Sequence, residues 1–243
     1  MELMNGPNKH NIALFDIDGT IFRSSLTVEL VNSFFRAGLF PKTAKKDMEN
    51  DYLAWINRKG DYDTFSKKLI EILLAYLPGL NKDRVDIIVE QVIKWQQDRV
   101  YRYPRDLIKK LRRKKYYLIA ISGSPSYIVK KFAINMGFHV AYGLHYEVIN
   151  GEFTGRILNM NPVSHKELVL NHIIEKYELK PDWANSVAVG DTDIDIPLLE
   201  QVGNPIAFNP NQQLADYAKK KHWKIVIERK DVIYEIKKFS YLK

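Results

Sequence analysis

Three short segments of the sequence carry the residue types that could perform chemistry. Asp16 and Asp18 follow the apolar run "NIALF" within "FDIDGT", Ser122 and Gly123 follow "LIAI", and "DTDID" follows "SVAVG". A buried charge is costly unless it is paired or holds a metal ion. Because open α/β sheets place their ligands at the carboxyl ends of the strands, we expect these distant segments to meet at one edge of a sheet.

Carboxylates gathered at such an edge repel one another unless a hard cation holds them, and oxygen ligands suit Mg²⁺. The Ser122 hydroxyl and the backbone N–H groups near Gly123, expected at a helix N-terminus, predict a phosphate cradle. Lys166, which opens another predicted helix, could neutralise the remaining phosphate charge. Metal, phosphate donors and one ammonium group together predict phosphoryl transfer, in which positioning and charge stabilisation supply most of the catalysis.

Asp16 and Asp18 are expected to have different tasks. One carboxylate can attack phosphorus and carry the phosphoryl group as an aspartyl-phosphate. The other must give a proton to the leaving alcohol and then accept one from water. Metal coordination would keep Asp16 ionised, whereas Asp18 would be free to titrate, so we predict Asp16 as the nucleophile and Asp18 as the acid/base.

The elements that must position these residues follow from the pattern of apolar residues. A first strand is predicted at about residues 11–16, and residues 24–102 show helical spacing, which favours four or five helices. From Tyr103 onward strands and helices alternate, with helices predicted at 105–114, 126–136 and 164–177 and a hairpin at Asn150-Gly151. This order predicts an α/β fold with a doubly wound, mostly parallel sheet and an inserted α-helical cap domain.

The same pattern divides the chain into a catalytic core of residues 1–22 and 103–243 and a helical cap of residues 23–102. A cap with hinges near Arg23 and Arg102 would lie beside the tip of the first strand. It could close over whatever binds there.

The order "DIDGT", "SGS", a lysine and "GDTDID" resembles the four motifs of the haloacid dehalogenase (HAD) superfamily, and the helical insertion resembles its phosphoserine phosphatase-like branch. The resemblance implies a Mg²⁺-dependent phosphatase. It implies Asp16 as nucleophile and metal ligand, and Asp18 as acid/base that also ligates through its carbonyl oxygen. The remaining roles that it implies are phosphate binding by Ser122 and Gly123, charge pairing by Lys166, metal ligation by Asp191 and orientation of the lysine or a metal-bound water by Asp195.

One stretch departs from that branch. Phosphoserine phosphatases carry a glutamate shortly after the first motif to meet the amino group of the substrate. Here the stretch reads "FRSSLTVE", and Glu29 comes later. We therefore expect a small phosphorylated metabolite other than phosphoserine.

Composition limits the remaining classes. The chain lacks cysteine, which excludes disulfides and thiolate metal sites, and it has neither an apolar N-terminal leader nor a run long enough to span a bilayer, so we expect a cytoplasmic protein. The net charge is +8, with basic clusters at 109–117, 219–224 and 237–238. These are interpreted as solvated helix ends rather than a nucleic-acid surface. Two alternatives stay open: a phosphotransferase of the same family, and a basic nucleic-acid- or lipid-binding protein on an inactive phosphatase scaffold.

Overall fold

The computed structural model describes residues 9–238 as helices and strands built around one sheet. The strands are β1 (Ile12–Phe15), β2 (Tyr117–Pro125), β3 (Val140–Ile149), β4 (Glu152–Asn159), β5 (Val187–Gly190), β6 (Asn204–Phe208), β7 (Lys224–Arg229) and β8 (Val232–Ile236). The helices are α1 (Leu26–Arg36), α2 (Lys42–Ile56), α3 (Tyr62–Tyr76), α4 (Lys82–Gln96), α5 (Arg102–Arg113), α6 (Ser126–Met136), α7 (Asn161–Ser164), α8 (Lys166–Lys176), α9 (Ile196–Leu199) and α10 (Gln212–Lys220), and a 3₁₀ turn spans Asp193–Asp195.

The prediction that the N-terminus carries no apolar leader concerns mainly residues 1–8, which lie outside the described residues. Within residues 9–238 no helix combines the length and the apolar character needed to cross a membrane.

The strands of the described chain form one eight-stranded sheet in the order β4-β3-β2-β1-β5-β6-β7-β8. The six strands from β3 to β7 in this order are mutually parallel, while β4 and β8 pair antiparallel at the two edges. This sheet confirms the predicted mostly parallel α/β fold. β1 lies between β2 and β5, so the chain reverses its direction of travel across the sheet at β1, and such switch points are where α/β sheets bind ligands.

The central strand β1 is buried on both faces. Ala13 and Phe15 belong to one apolar cluster, and Ile12 and Leu14 belong to the cluster on the opposite face. The alternation follows from the period of two in a strand, and it explains why the segment reads as a continuous apolar run. A strand covered on both sides places the residue after its last apolar position, Asp16, at a fixed point.

Helices α1 to α4 bear out the helical reading of residues 24–102. Their apolar residues, including Phe34 and Phe65, belong to the same cluster as Phe15 of the sheet. The two chain segments that connect these helices to the sheet run side by side, since Arg23 N–H donates to Arg99 C=O (3.0 Å) and Tyr101 N–H donates to Ile21 C=O (2.9 Å). The division into core and cap at these two segments stays a prediction.

A second connection joins the helical segment to the sheet through the hairpin of β3 and β4. The loop between α3 and α4 pairs with this hairpin by three backbone hydrogen bonds: Gly79 N–H to Phe153 C=O (2.8 Å), Phe153 N–H to Leu80 C=O (3.0 Å) and Lys82 N–H to Gly151 C=O (2.8 Å). We call this set the hairpin tether. It means that helices α3 and α4 are held at a point remote from the two connecting segments.

Several local expectations need correction. The helix predicted over 164–177 is α8, which begins two residues later, at Lys166; the short helix α7 before it was not predicted, and His165 between the two is non-helical (φ −143°, ψ 62°). The phosphate cradle near Gly123 was expected at a helix N-terminus, but α6 begins at Ser126, and Gly123 belongs to the end of β2.

The basic clusters were interpreted as helix ends, which holds for two of them. The last turns of α5 and α10 contain lysine or arginine, whose charge suits the carbonyl end of a helix. The pair Lys237-Lys238 instead follows β8, an antiparallel edge strand that the sequence pattern did not reveal.

Gly155, in β4 two residues after Phe153 of the hairpin tether, should be intolerant of any side chain. Its φ is +84°, and a Cβ atom there would lie 2.6 Å from Cγ of Pro78. We expect Gly155→Ala to lower the free energy of unfolding by about 2–4 kcal/mol, because backbone strain and a steric clash add. Gly38→Ala is the matched control, since Gly38 has φ +68° and open space at its Cβ position. Urea denaturation measures both, and equal losses would contradict the assigned clash.

Candidate active site

Three neighbouring strands deliver the candidate residues to one edge of the sheet. Asp16 follows β1, Asp191 follows β5, and Ser122 lies in the last part of β2. β1 pairs in parallel with both β2 and β5, so the three carboxyl ends share an edge. The structure also brings Lys166 to this edge, where it forms a hydrogen bond with Asp16 although the two residues are 150 positions apart.

Lys166 binds two carboxylates of the site. Its Nζ donates to Oδ1 of Asp16 and to Oδ1 of Asp195, each at 2.6 Å, and all three side chains are buried. Burial lowers the pKa of the Lys166 ammonium, but the two carboxylates outweigh that effect and raise the pKa above its usual range. The lysine is therefore a fixed positive charge, and its place as the first residue of α8 sets where that charge lies. The alternative Lys176 is the last residue of the same helix, with its Nζ near the ring of Tyr177.

Asp195 organises the loop after β5. Its Oδ2 accepts the backbone N–H groups of Asp191 and Thr192, both at 3.1 Å, and Thr192 caps the 3₁₀ turn in return. Gly190 is needed at the start of this loop because a Cβ atom there would collide with the Asp195 side chain. Both oxygens of Asp195 are thus engaged, one by Lys166 and one by the loop backbone. This carboxylate holds the position of its neighbours.

Oxygen atoms of Asp16, Asp191 and Asp195 lie within 4.8 Å of one another. Thr20 Oγ1 donates to Oδ1 of Asp191 (2.7 Å), and Gly19, at φ +82°, leaves room for that carboxylate where a Cβ atom would clash. Asp16 and Asp191 each keep one carboxylate oxygen without a hydrogen bond to any residue of the described chain. An all-oxygen donor set of this kind suits Mg²⁺.

The electrostatics of the cluster also fit a cation. Burial raises the pKa of Asp16 to about 7, an effect that Lys166 opposes and that Asp195 and Asp18 reinforce. Burial and repulsion by Asp16 likewise raise the pKa of Asp191 well above its usual range. A divalent cation held by these carboxylates would relieve the repulsion and favour their ionised forms.

Asp18 points to a different set of partners. Its carboxylate accepts hydrogen bonds from Leu26 N–H (2.6 Å), Ser122 Oγ (2.7 Å) and Ser124 Oγ (2.6 Å). Burial raises the pKa of Asp18 although these three hydrogen bonds lower it. The Asp18 side chain is not part of the cluster of Asp16, Asp191 and Asp195. Asp16 and Asp18 therefore have separate surroundings, because Lys166 holds the first and groups of α1 and β2 hold the second.

The predicted phosphate contact of Ser122 stays a prediction. Its hydroxyl group is fully buried, donates to Asp18 and accepts the N–H of Ser124 (2.9 Å). Gly123 lies half-buried beside it. Asp193 lies outside the carboxylate cluster and accepts a hydrogen bond from Asn211 (2.7 Å), which agrees with leaving it out of the predicted metal ligands.

Three residues of the site had no role assigned from the sequence. Thr20 binds Asp191, while Ser124 binds Asp18 and is itself bound by Thr27, whose N–H donates to Ser124 Oγ at 3.1 Å. The signal for Thr20 and Ser124 was present, because both hydroxyl groups belong to the motifs "DIDGT" and "SGS". Thr27 could not have been found, since it reaches the site from helix α1.

Residues 13–200 match the haloacid dehalogenase-like hydrolase family. Over 208 residues the chain is 26% identical to a phosphoserine phosphatase of Archaeoglobus fulgidus, which covers 85% of this chain and 55% of that relative. The chain thus spans little more than half of that protein. It is also 23% identical over 222 residues to a histidinol-phosphatase of Neisseria meningitidis, covering 89% of this chain and 98% of the relative.

Two solved structures share the fold. A protein of unknown function from Bordetella pertussis superposes with a TM-score of 0.73 at 20% identity, covering 90% of this chain and 98% of that one. A phosphoserine phosphatase in its apo form gives a TM-score of 0.60 at 22% identity, with 92% and 96% covered.

The raised pKa values predict that metal binding depends on pH. A carboxyl group whose pKa is raised in the folded state makes the folded protein less stable as the pH rises. For Asp16 this loss runs from about pH 4, the pKa in the unfolded chain, through about pH 7, the pKa in the folded protein. At pH 5 Mg²⁺ must displace protons, whereas at pH 8 it meets an ionised Asp16. We expect saturating Mg²⁺ to raise the Tm by about 5–10 °C at pH 8 and by much less at pH 5.

Thermal unfolding followed by fluorescence measures this shift without any assay of activity. Asp191→Asn should lose the shift at pH 8, whereas the matched Asp193→Asn in the same loop should keep it. Equal shifts at the two pH values, or an undiminished shift in Asp191→Asn, would show that the cluster is not the metal site.

Proposed function

Because this chain belongs to the haloacid dehalogenase-like hydrolases, we propose that it is a Mg²⁺-dependent phosphatase that hydrolyses a small phosphomonoester through an aspartyl-phosphate on Asp16. The observation that carries the proposal is the contrast between two neighbouring carboxylates. Asp16 is paired with Lys166 in a carboxylate cluster, while Asp18 is held apart by two serine hydroxyl groups and a backbone N–H. Acid and nucleophile are thereby separated, as phosphoryl transfer to an enzyme carboxylate requires.

Asp16 is the proposed nucleophile. Lys166 fixes Oδ1, and Oδ2 is left without a hydrogen bond among the described residues, so one oxygen is available to attack. In the first step this oxygen forms a bond to phosphorus while the bond from phosphorus to the ester oxygen breaks. The ammonium of Lys166 offsets the negative charge that the incoming phosphoryl group adds to the site.

Asp18 is the proposed acid and base. Burial raises the pKa of Asp18, which favours the protonated form that can give a proton to the ester oxygen as that oxygen leaves. In the second step the Asp18 carboxylate accepts a proton from a water molecule, whose oxygen attacks phosphorus. Inorganic phosphate leaves, and Asp16 is regenerated as a carboxylate.

The remaining groups bind phosphate and metal. Ser122 and Gly123 are proposed to contact the phosphate group, with Lys166 as the cationic partner. Asp16, Asp191 and the backbone carbonyl of Asp18 are proposed to ligate Mg²⁺, and Asp195 is proposed to orient Lys166. When bound, Mg²⁺ supplies positive charge that neutralises the phosphate oxygens and orients them.

A phosphoserine-like substrate is disfavoured by the surroundings of Glu29. This carboxylate is largely buried in α1, and Arg99 donates to its Oε1 at 2.9 Å. An amino group of a substrate would have to displace that arginine to use the carboxylate. We therefore propose a phosphomonoester without an ammonium group as the substrate.

Two other functions compete with hydrolysis. A phosphotransferase would pass the phosphoryl group to an alcohol instead of water, and a competing acceptor such as glycerol in the assay would reveal the transferred product. A basic binding protein on this scaffold would bind nucleic acid with an affinity that falls steeply with salt. The buried ion pairs of Lys166 with two carboxylates favour the enzyme, because a surface that binds nucleic acid or lipid does not require them.

Asp16→Asn should abolish turnover. The amide oxygen is a poor nucleophile, so kcat for p-nitrophenyl phosphate in the presence of Mg²⁺ should fall on the order of 10³-fold or more. Asp193→Asn, a matched change in the neighbouring loop, should retain most of the activity. Near-wild-type turnover by Asp16→Asn in a clean preparation would refute the assignment.

Asp18→Asn should separate the two steps. The nitrophenolate group leaves without a proton, so the variant should still form the aspartyl-phosphate but hydrolyse it slowly. Stopped-flow absorbance should then show a burst approaching one equivalent of nitrophenolate, followed by a slow steady state. A variant without a burst, or with wild-type steady-state turnover, would contradict the role of Asp18.

A further inference from the structure

β8 is an edge strand with both of its faces exposed. It ends the order of the sheet, and among residues 9–238 only β7 pairs with it. Val232, Ile233 and Tyr234 are 41%, 42% and 49% exposed, although successive side chains of a strand point to opposite faces. The strand therefore presents apolar side chains to solvent on two sides, next to its unpaired outer edge.

The backbone of β8 carries none of the features that usually prevent an edge from pairing. Such features are proline, lysine or a bulge within the strand. The segment "VIYEI" contains neither proline nor lysine, and its five pairs with β7 follow one another without a shift in register. The opposite edge strand differs, because the register of β4 with β3 shifts twice. β8 is thus the less protected edge of the sheet.

Hydrogen bonds of β7 fix the direction in which the backbone groups of β8 point. Asn209, which follows β6, donates its N–H to Val226 C=O (2.8 Å) and accepts the N–H of Glu228 at its Oδ1 (2.8 Å). The backbone groups of these two residues of β7 therefore face β6. Because the direction alternates along a strand, the backbone groups of Ile227 face β8.

The outward-facing residues of β8 follow from this alternation. Tyr234 lies opposite Ile227, so its backbone groups face β7 in return. The backbone groups of its neighbours Ile233 and Glu235 then point away from the sheet. An antiparallel strand from a second copy of the chain must place such outward residues opposite each other, because only then do both strands direct their hydrogen-bonding groups into the shared edge.

Ile233 and Glu235 can meet across a two-fold axis in three registers. Placing Ile233 opposite itself brings Asp231 opposite Glu235, and placing Glu235 opposite itself pairs two like charges, so both registers are unfavourable. Placing Ile233 opposite Glu235 avoids these contacts and centres the axis on Tyr234. It also brings Asp231 of each copy opposite Lys237 of the other. Charge therefore selects this register from the three.

The selected register also pairs apolar side chains. Val232 of one copy would lie opposite Ile236 of the other, and the two copies of Tyr234 would face each other. These residues share one face of β8, on which Ile236 already packs against the core. Aromatic and β-branched residues directly opposite each other in an antiparallel pair stabilise a sheet. Charge and packing thus favour the same arrangement.

We propose that β8 is a self-association edge, at which two copies of the chain join by antiparallel pairing centred on Tyr234, so that two eight-stranded sheets become one continuous sheet. The same patch is used on both copies, as a two-fold axis requires. A single pair of short strands buries less than about 1,200 Å² in total, so we expect a dimer that dissociates on dilution, with a Kd in the micromolar range. β8 lies three positions from β5 in the sheet order, so this surface is separate from the candidate active site.

Sedimentation velocity over a concentration series through the micromolar range tests the proposal. The wild-type protein should pass from monomer to dimer as its concentration rises. Tyr234→Lys places two ammonium groups next to each other at the axis and should raise the Kd by about tenfold or more. Tyr177→Lys is the matched control, because Tyr177 is an exposed tyrosine at the end of α8, and this variant should keep the wild-type Kd.

A charge exchange tests the register itself. Asp231→Lys and Lys237→Asp each place like charges opposite each other twice across the axis, so each should raise the Kd by about three- to tenfold. The double variant restores opposite charges and should recover the wild-type Kd. Recovery on adding a second substitution is an effect that a general loss of stability would not produce.

Each remaining outcome overturns the proposal. A wild-type protein that stays monomeric throughout the series has no such edge pairing, and a dimer unaffected by Tyr234→Lys forms through another surface. A double charge variant that associates no more tightly than the single variants shows that Asp231 and Lys237 do not meet. Turnover of p-nitrophenyl phosphate per chain should be equal in the wild type and in Tyr234→Lys, so the self-association can fail while the proposed phosphatase activity stands.

Discussion

The buried contact of one ammonium group with two carboxylates is the constraint on which the site depends. Lys166 joins the end of β1, through Asp16, to the loop after β5, through Asp195. Removing one member of a buried ionic group typically costs 3–5 kcal/mol, because an uncompensated charge is left behind. The fold brings the three residues together, and the ionic group, with the hydrogen bond from Thr20 to Asp191, in turn fixes the relative positions of the loops after β1 and β5. Stability and the geometry for chemistry are thus supplied by the same atoms.

The carboxylates around this ammonium divide into two environments. Asp16, Asp191 and Asp195 repel one another and are drawn together by cations, whereas Asp18 is embedded in hydroxyl and amide donors. The division comes from the partners that the fold supplies: Lys166 at the start of α8 holds Asp16, whereas Leu26 at the start of α1 and two serines of β2 hold Asp18. The fold therefore gives two residues of the same type different surroundings.

Much of this was predictable from the sequence, and the rest had definite physical reasons to escape. The carboxylates and the mostly parallel sheet follow from apolar runs that end in polar motifs, because both signals are local, whereas Lys166 was chosen for its place at the start of a predicted helix and in the order of the motifs. The short helix α7, the strand β8 and the hydrogen bond from Thr27 to Ser124 depend on tertiary contacts. Hydroxyl groups such as Thr27 have no periodic signature, so their partners are revealed by the folded chain alone. The orientation of Ser122 toward Asp18 is of the same kind.

The hairpin tether has a consequence for how such enzymes can be recombined. The helical segment is joined to the sheet by two connecting segments that run side by side. This arrangement suggests that the helices could be exchanged between relatives by cutting the chain at these two segments. The backbone hydrogen bonds to Gly151 and Phe153 show that the β3–β4 hairpin contacts the helical segment as well as the sheet. A chimera that receives the helices without the hairpin would lose the hydrogen bonds of the hairpin tether. A chimera that receives both would keep them.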